Sequence, residues 1–257
     1  MCAQSVHLKA AFAASHKAYG SRRLRTAMAE RGMAMGRHRV RTLMRLNGLR
    51  SVWGVKFVHT TDSKHMMAVS PNVLNRQFEQ ALPNQVWVAD ITYIRTRSGW
   101  LYLAAVLDLH SRKIVGWAMA DAMPAGLVCA ALQMAIIQRN PAPGLIVHSD
   151  RGTQYASSEH QGLLAKYGLV GSMSRKGNCW LNDELGAVME RFFLNLKMER
   201  VCNKDYANHA EATNHIADYV VGFYNSTRLH SKLGNLSLNA LKRESTAKKS
   251  IKLSEIT

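Results

Sequence analysis

At 257 residues and 47% hydrophobic content, the chain can bury one large core, or a small core beside a medium one. Its net charge of +17 exceeds what solubility requires and points to a polyanionic partner, nucleic acid before anionic membrane. Four scattered cysteines, Cys2, Cys129, Cys179 and Cys202, lack CxxC or Cys/His spacing, which excludes a zinc knuckle and a disulfide framework and fits a reducing cytosol.

The charge is uneven. Residues 1–70 carry 13 Lys/Arg against two acids, Glu30 and Asp62, while residues 71–257 carry 21 against 15. The N-terminus has no signal-peptide h-region. The apolar run from Leu101 to Leu109 is short and carries Asp108, so the expectation is a cytoplasmic protein with no membrane partner.

In chain order, residues 5–19 read as a helix with Leu8, Ala11, Phe12 and Ala14 on its apolar side, broken at Gly20. Ser21 can cap a helix through Glu30, and Gly32 to Gly36 forms a turn before a helix from Arg37 to about Asn47, closed by Gly48. This is helix-turn-helix-like. Val40, Leu43 and Met44 can face inward while Arg37, Arg41 and Arg45 form a basic stripe; Arg22 and Arg23 add charge on the preceding helix. Residues 50–80 lack periodicity and read as a linker, placing a boundary near residue 70.

From Val86 the pattern changes to strands over 86–96, 100–109 and 113–120, with a Ser98-Gly99 turn between the first two. A helix over about 124–139, a strand at 145–150, a helix at 157–167, a strand at 169–174 and a long helical region from about 182 complete the order. The expected fold is α/β: a mixed five-stranded sheet flanked by helices, behind a small all-α N-terminal module. The expected division is 1–70 for the basic module and linker, 71–240 for the α/β domain and 241–257 for a basic tail.

The first strand, Val86-Trp87-Val88-Ala89-Asp90-Ile91-Thr92-Tyr93-Ile94, holds a carboxylate among β-branched and aromatic residues. Such a group is costly unless paired or bound to a metal. Asp150 closes another strand, and Glu190 follows on a helix; two strand-borne aspartates and a helical glutamate suggest a divalent-metal site. Asp108 and Asp121 read as turn or surface residues, and His148 as a packing or orienting residue rather than a base.

Several segments, in order, carry a family resemblance. They include Trp87-Val88-Ala89-Asp90-Ile91-Thr92-Tyr93-Ile94, Gly99-Trp100-Leu101-Tyr102-Leu103, His148-Ser149-Asp150-Arg151-Gly152-Thr153-Gln154-Tyr155, Met189-Glu190-Arg191-Phe192-Phe193 and Arg228-Leu229-His230-Ser231. The chain resembles the second-frame (OrfB) product of insertion-sequence transposases of the IS-three group. The resemblance implies an integrase-like, ribonuclease-H-like catalytic domain with a DDE triad of Asp90, Asp150 and Glu190. It also implies two Mg²⁺ ions, with Mn²⁺ able to substitute, and transposition by DNA strand cleavage and strand transfer. It further implies a first-frame OrfA-type partner, a homo-oligomer on DNA, and a bacterial, nucleoid-associated setting. Arg175 and Lys176, on a basic loop, and Lys197, two turns beyond Glu190, join Arg22, Arg23, Arg37, Arg41 and Arg45 as candidate DNA contacts.

The chain departs from the family pattern at the third acid. Between Asp150 and Glu190 stand 39 residues, about four more than the pattern has, or roughly 6 Å of rise if helical. Glu184, with 33 intervening residues, is the alternative; Glu190 is preferred because Glu190-Arg191-Phe192-Phe193 matches the motif and Phe192, Phe193 and Leu196 can anchor its helix. Leu238 stands where the family's tail motif has proline. Two rival readings follow: a catalytically silent DNA-binding protein with a disrupted triad, and a ribonuclease acting on RNA–DNA hybrids.

Overall fold

A computed structural model describes residues 3–52, 70, 80, 82–174, 184–241 and 243. The chain divides into two compact units, Met1–Lys56 with Lys197–Asn203 and Val221–Thr257, and Phe57–Leu196 with Lys204–Val220. The expected linear division follows the order of elements along the chain, whereas these units are discontinuous.

In the first unit, α1 (Ala3–Ala14), α2 (Ser21–Ala29) and α3 (Arg37–Leu46) pack on one another. Leu8, Ala11 and Phe12 of α1 are buried with Leu24 and Met28 of α2 and with Val40, Leu43 and Met44 of α3, the inward set expected for α3, whereas Ala14, expected on the apolar side of α1, is exposed. Later parts of the same unit include a π-helical segment, Lys197–Val201, and the two-residue strands β6 (Leu229–His230) and β7 (Leu236–Ser237). Tyr224, Asn225, Arg228 and His230 lie where helical structure ends, at Tyr224, and the chain turns into β6. They cluster around that end: the ring of His230 stands edge-on to Tyr224 at 4.9 Å, and its Nε2 lies 3.2 Å from the Tyr224 carbonyl. Leu238 is buried at the first residue of a short helical turn, a position proline tolerates but does not require.

The second unit is built on a sheet ordered β3-β2-β1-β4-β5: β1 (Val86–Thr96), β2 (Gly99–Asp108), β3 (Ile114–Ala120), β4 (Ile146–Ser149) and β5 (Val170–Met173). The first three strands form an antiparallel meander, and β4 and β5 add in parallel beside β1. Parallel neighbours need a crossover, supplied here by α4 (Ala125–Arg139). Between β4 and β5 lie α5 (Thr153–Ala156) and α6 (Ser158–Lys166), the latter capped by the Ser157 hydroxyl, which accepts from the His160 N–H.

Trp87, Ala89, Ala104, Val106 and Val115 of one sheet face pack with Leu127, Val128, Ala131, Leu132 and Ala135 of α4 in one core. The approach of α4 depends on Gly116. A β-carbon there would stand 2.1 Å from the Ala131 carbonyl and 2.7 Å from the Ala135 N–H nitrogen. Gly116→Ala should therefore force helix and strand apart and cost about 1–3 kcal/mol, read as a lowered urea midpoint. Asp108 is fully buried at the β2–β3 turn, where it accepts from the Asn84 N–H, the Ser111 N–H and the Ser111 hydroxyl. It is the turn residue expected from sequence.

On the other sheet face, α7 (Glu184–Leu196) packs on β1, and α8 (His209–Ala217) packs on β1 and β2. Met189, Phe192, Phe193 and Leu196, at i, i+3, i+4 and i+7, are buried and anchor α7. Cys129 and Cys202 are free thiols. No helix among the described residues is long and apolar enough to cross a membrane.

Candidate active site

The parallel register of β1 and β4 brings the two aspartates together. Val86 pairs with Ile146, Trp87 with Val147 and Val88 with His148. The ladder ends at that last pair, with Asp90 two residues further along β1 and Asp150 two residues further along the other chain segment, directly after β4. Asp90 lies in mid-β1, and Asp150 at the C-terminal end of β4, the end where open α/β sheets place their sites.

Local backbone holds each carboxylate. The Ile91 N–H donates to Asp90 Oδ1 at 2.7 Å, and the Gly152 N–H donates to Asp150 Oδ1 at 2.9 Å. Gly152 is small for a reason: a β-carbon there would stand 3.0 Å from Asp150 Oδ1 and 3.0 Å from Gln154 Oε1. Arg151 Nε donates to the Ser174 carbonyl at 2.6 Å, tying the loop after β4 to the end of β5. His148 is buried, with Nδ1 3.1 Å from the Ser172 hydroxyl and Nε2 3.5 Å from that of Ser174, which suits the orienting role expected of it.

Tyr155, which closes the His148–Tyr155 motif, went unremarked as a site residue in the sequence. Its hydroxyl is buried with no hydrogen-bond partner among the described residues. Its pKa is pushed well above the ordinary tyrosine value, first by burial and then by the negative charges of Asp90 and Asp150. The phenol stays protonated. The spacing of Tyr155 from Asp150 could have flagged it, but only the fold brings Asp90 to the same ring.

The two aspartates and the orphaned hydroxyl suit a hard cation: an oxygen donor set with two negative charges is what Mg²⁺ takes. Among the described residues, no group of three His, Cys, Asp or Glu side chains could hold a metal ion. Glu190 is half-buried on α7, one residue after the buried Met189. Position 184 is also helical, so positions 184 and 190 stand about 9 Å apart along the axis and roughly 120° apart around it.

Arg22, Arg37, Arg41 and Arg45 are exposed. Two of the expected DNA contacts are otherwise engaged. Arg23 Nη1 lies 3.7 Å from Glu199 Oε1, and Lys197 is 5% exposed in the π-helical segment, so neither is presented outward for a phosphate. Positions 195–200 are all buried, so no face of the chain there is left for DNA. Arg175 and Lys176 lie outside the described residues.

The chain matches the integrase core domain family over residues 80–179 and 190–244, and an HTH-like domain family over residues 3–57. It is 43% identical to the insertion element IS600 uncharacterized 31 kDa protein of Shigella sonnei, over 93% of this chain and 86% of that protein. It is 40% identical to the transposase InsF for insertion sequence IS3A of Escherichia coli, over 89% of this chain and 78% of that protein. Among solved structures, the HTLV-2 integrase catalytic core domain in complex with magnesium aligns at 17% identity with a TM-score of 0.48, over 62% of this chain and 95% of that one. The antiparallel meander extended by two parallel strands is the ribonuclease-H-like integrase core arrangement, a fold whose members generally use divalent metal ions. This chain belongs to the InsF-type, IS3-family insertion-sequence transposases, DDE-type polynucleotidyl transferases of DNA transposition and integration with an HTH-like module and an integrase core.

Proposed function

We propose that Asp90, Asp150 and Glu190 hold two Mg²⁺ ions, with Mn²⁺ able to substitute, for DNA strand cleavage and strand transfer at insertion-sequence ends. The observation that supports this reading is the parallel pairing of β1 with β4, from whose last pair, Val88 with His148, Asp90 and Asp150 each follow by two residues. Such ions stabilise the attacking and leaving oxygens at phosphorus when bound. The chain's own residues bind and orient. Asp90 and Asp150 supply oxygen ligands, and Phe192, Phe193 and Leu196 seat the helix that carries the third acid. Arg22, Arg37, Arg41 and Arg45 meet the phosphates of duplex DNA, and Arg175 and Lys176 contact the backbone near the scissile bond. The chain works with a first-frame OrfA-type partner, as an oligomer on paired ends, at the bacterial nucleoid in the cytoplasm.

Purified protein incubated with labelled insertion-sequence ends and Mg²⁺ or Mn²⁺ is expected to nick and join them. DNA binding without either reaction in both ions would replace this reading with the silent DNA-binding one. The third acid has its own test: Glu190→Gln should lower strand transfer by at least about a hundred-fold, whereas Glu184→Gln should leave it within about three-fold. The reverse pattern would assign the role to Glu184.

A further inference from the structure

The β1–β2 hairpin carries an aromatic and cationic ledge that the chemistry of Asp90 and Asp150 does not use. Trp100 opens β2 and is 46% exposed, a large apolar area for one side chain to leave in water. Its ring meets Tyr93 edge-to-face at 5.2 Å, and its cross-strand partner Arg95 carries its guanidinium 6.0 Å from the ring centroid. Arg95 is exposed and forms no ion pair among the described residues. Together with Thr96, Arg97 and Gly99, these two side chains line a depression of about 240 Å³.

The ledge is rigid. Arg97 grips Asp205 through Nε at 3.0 Å and Nη2 at 2.6 Å, its N–H donates to the Tyr206 carbonyl, and the Ser98 hydroxyl donates to the Ala207 carbonyl. It is also separate from the acidic site. Five residue steps along the strand, roughly 17 Å, take Asp90 to Arg95, and their side chains take opposite faces by strand alternation.

We propose that this hairpin binds an unpaired DNA nucleotide, with its base stacked on Trp100 and its phosphate on Arg95. The cation beside the ring favours an anionic occupant over an apolar peptide, and the chain's net charge of +17 points the same way. Within a duplex both faces of a base are already stacked, so Trp100 selects unpaired or terminal bases. The proposal rests on the reading of the chain as a DNA-processing protein, but it requires no strand chemistry.

The test is fluorescence anisotropy of the full chain with labelled single-stranded and duplex oligonucleotides of one sequence, in EDTA. Trp100→Ala should weaken single-strand binding at least about five-fold and duplex binding less than about two-fold, while Trp100→Phe keeps the stack and most of the affinity. Arg95→Gln should weaken single-strand binding and flatten its salt dependence. Unchanged single-strand affinity in Trp100→Ala would overturn the proposal, as would equal loss on both probes. So would dissociation of an oligomer in Trp100→Ala with DNA affinity intact, which would make the ledge a protein contact. Because no catalysis is measured, an inactive wild-type enzyme would count against the strand-transfer reading and leave this result standing.

Discussion

Asp90→Asn is expected to lower strand cleavage and joining by at least about a thousand-fold, on the order of 4 kcal/mol at the transition state, while leaving DNA affinity within about two-fold. The replacement keeps the size and planarity of the side chain, and its oxygen can still accept from the Ile91 N–H. What disappears is the negative charge that a hard cation needs. The same change should not harm folding. Asp90 and Asp150 are like charges that each follow the last β1–β4 pair by two residues, so metal-free Asp90→Asn should be as stable as the wild type or slightly more so. Urea unfolding in EDTA beside a strand-transfer assay reads both quantities. Loss of activity with loss of stability would make Asp90 a structural residue, and retained activity would remove it from the chemistry.

Glu199→Gln should produce the largest stability loss, about 3–5 kcal/mol, because it strips one partner from a buried ion pair. Arg228 donates to Glu199 through Nε at 2.9 Å and through Nη2 at 2.6 Å, a bidentate fork, and both side chains are nearly inaccessible to water. Arg23 of α2 adds a weaker approach to the same carboxylate. Beside them the Tyr19 hydroxyl accepts from the Leu229 N–H at 2.7 Å, and burial raises its pKa, so the network contains a neutral phenol rather than a second anion. The network therefore joins the start of the HTH-like module to two later stretches of the first unit. Removing both charges by Glu199→Met with Arg228→Met should cost much less than the sum of the single changes, because no unpaired charge is then left buried. A double-mutant cycle in urea measures this coupling, and additive losses would show that the pair acts only through packing.

Much of the fold was legible in the sequence because its signals are local. β-branched and aromatic residues over 86–96 and a short turn at Ser98-Gly99 mark a hairpin, and the inward set Val40, Leu43 and Met44 follows from helical period alone. The errors fell where the local period changes without a local cause. The α-helix gives way to a π-helical segment at Lys197, within a stretch, 195–200, that is buried throughout and takes in a residue expected to face DNA. Likewise, helical structure ends at Tyr224, and no local signal announces that Arg228 beyond it pairs with Glu199.

The sequence by itself determined the order and kind of the main elements, the basic character of the first module, and the presence of carboxylates in strands where an unpaired charge is costly. Only the tertiary structure decided which of those carboxylates meet. The register of β1 on β4 couples residues 60 positions apart, and its choice depends on how the crossover through α4 packs on the sheet, with Gly116 allowing the close approach. Burial of Tyr155 beside both aspartates, and pairing of Glu199 with Arg228, likewise depend on distant segments sharing a low-dielectric interior. No local pattern encodes such encounters.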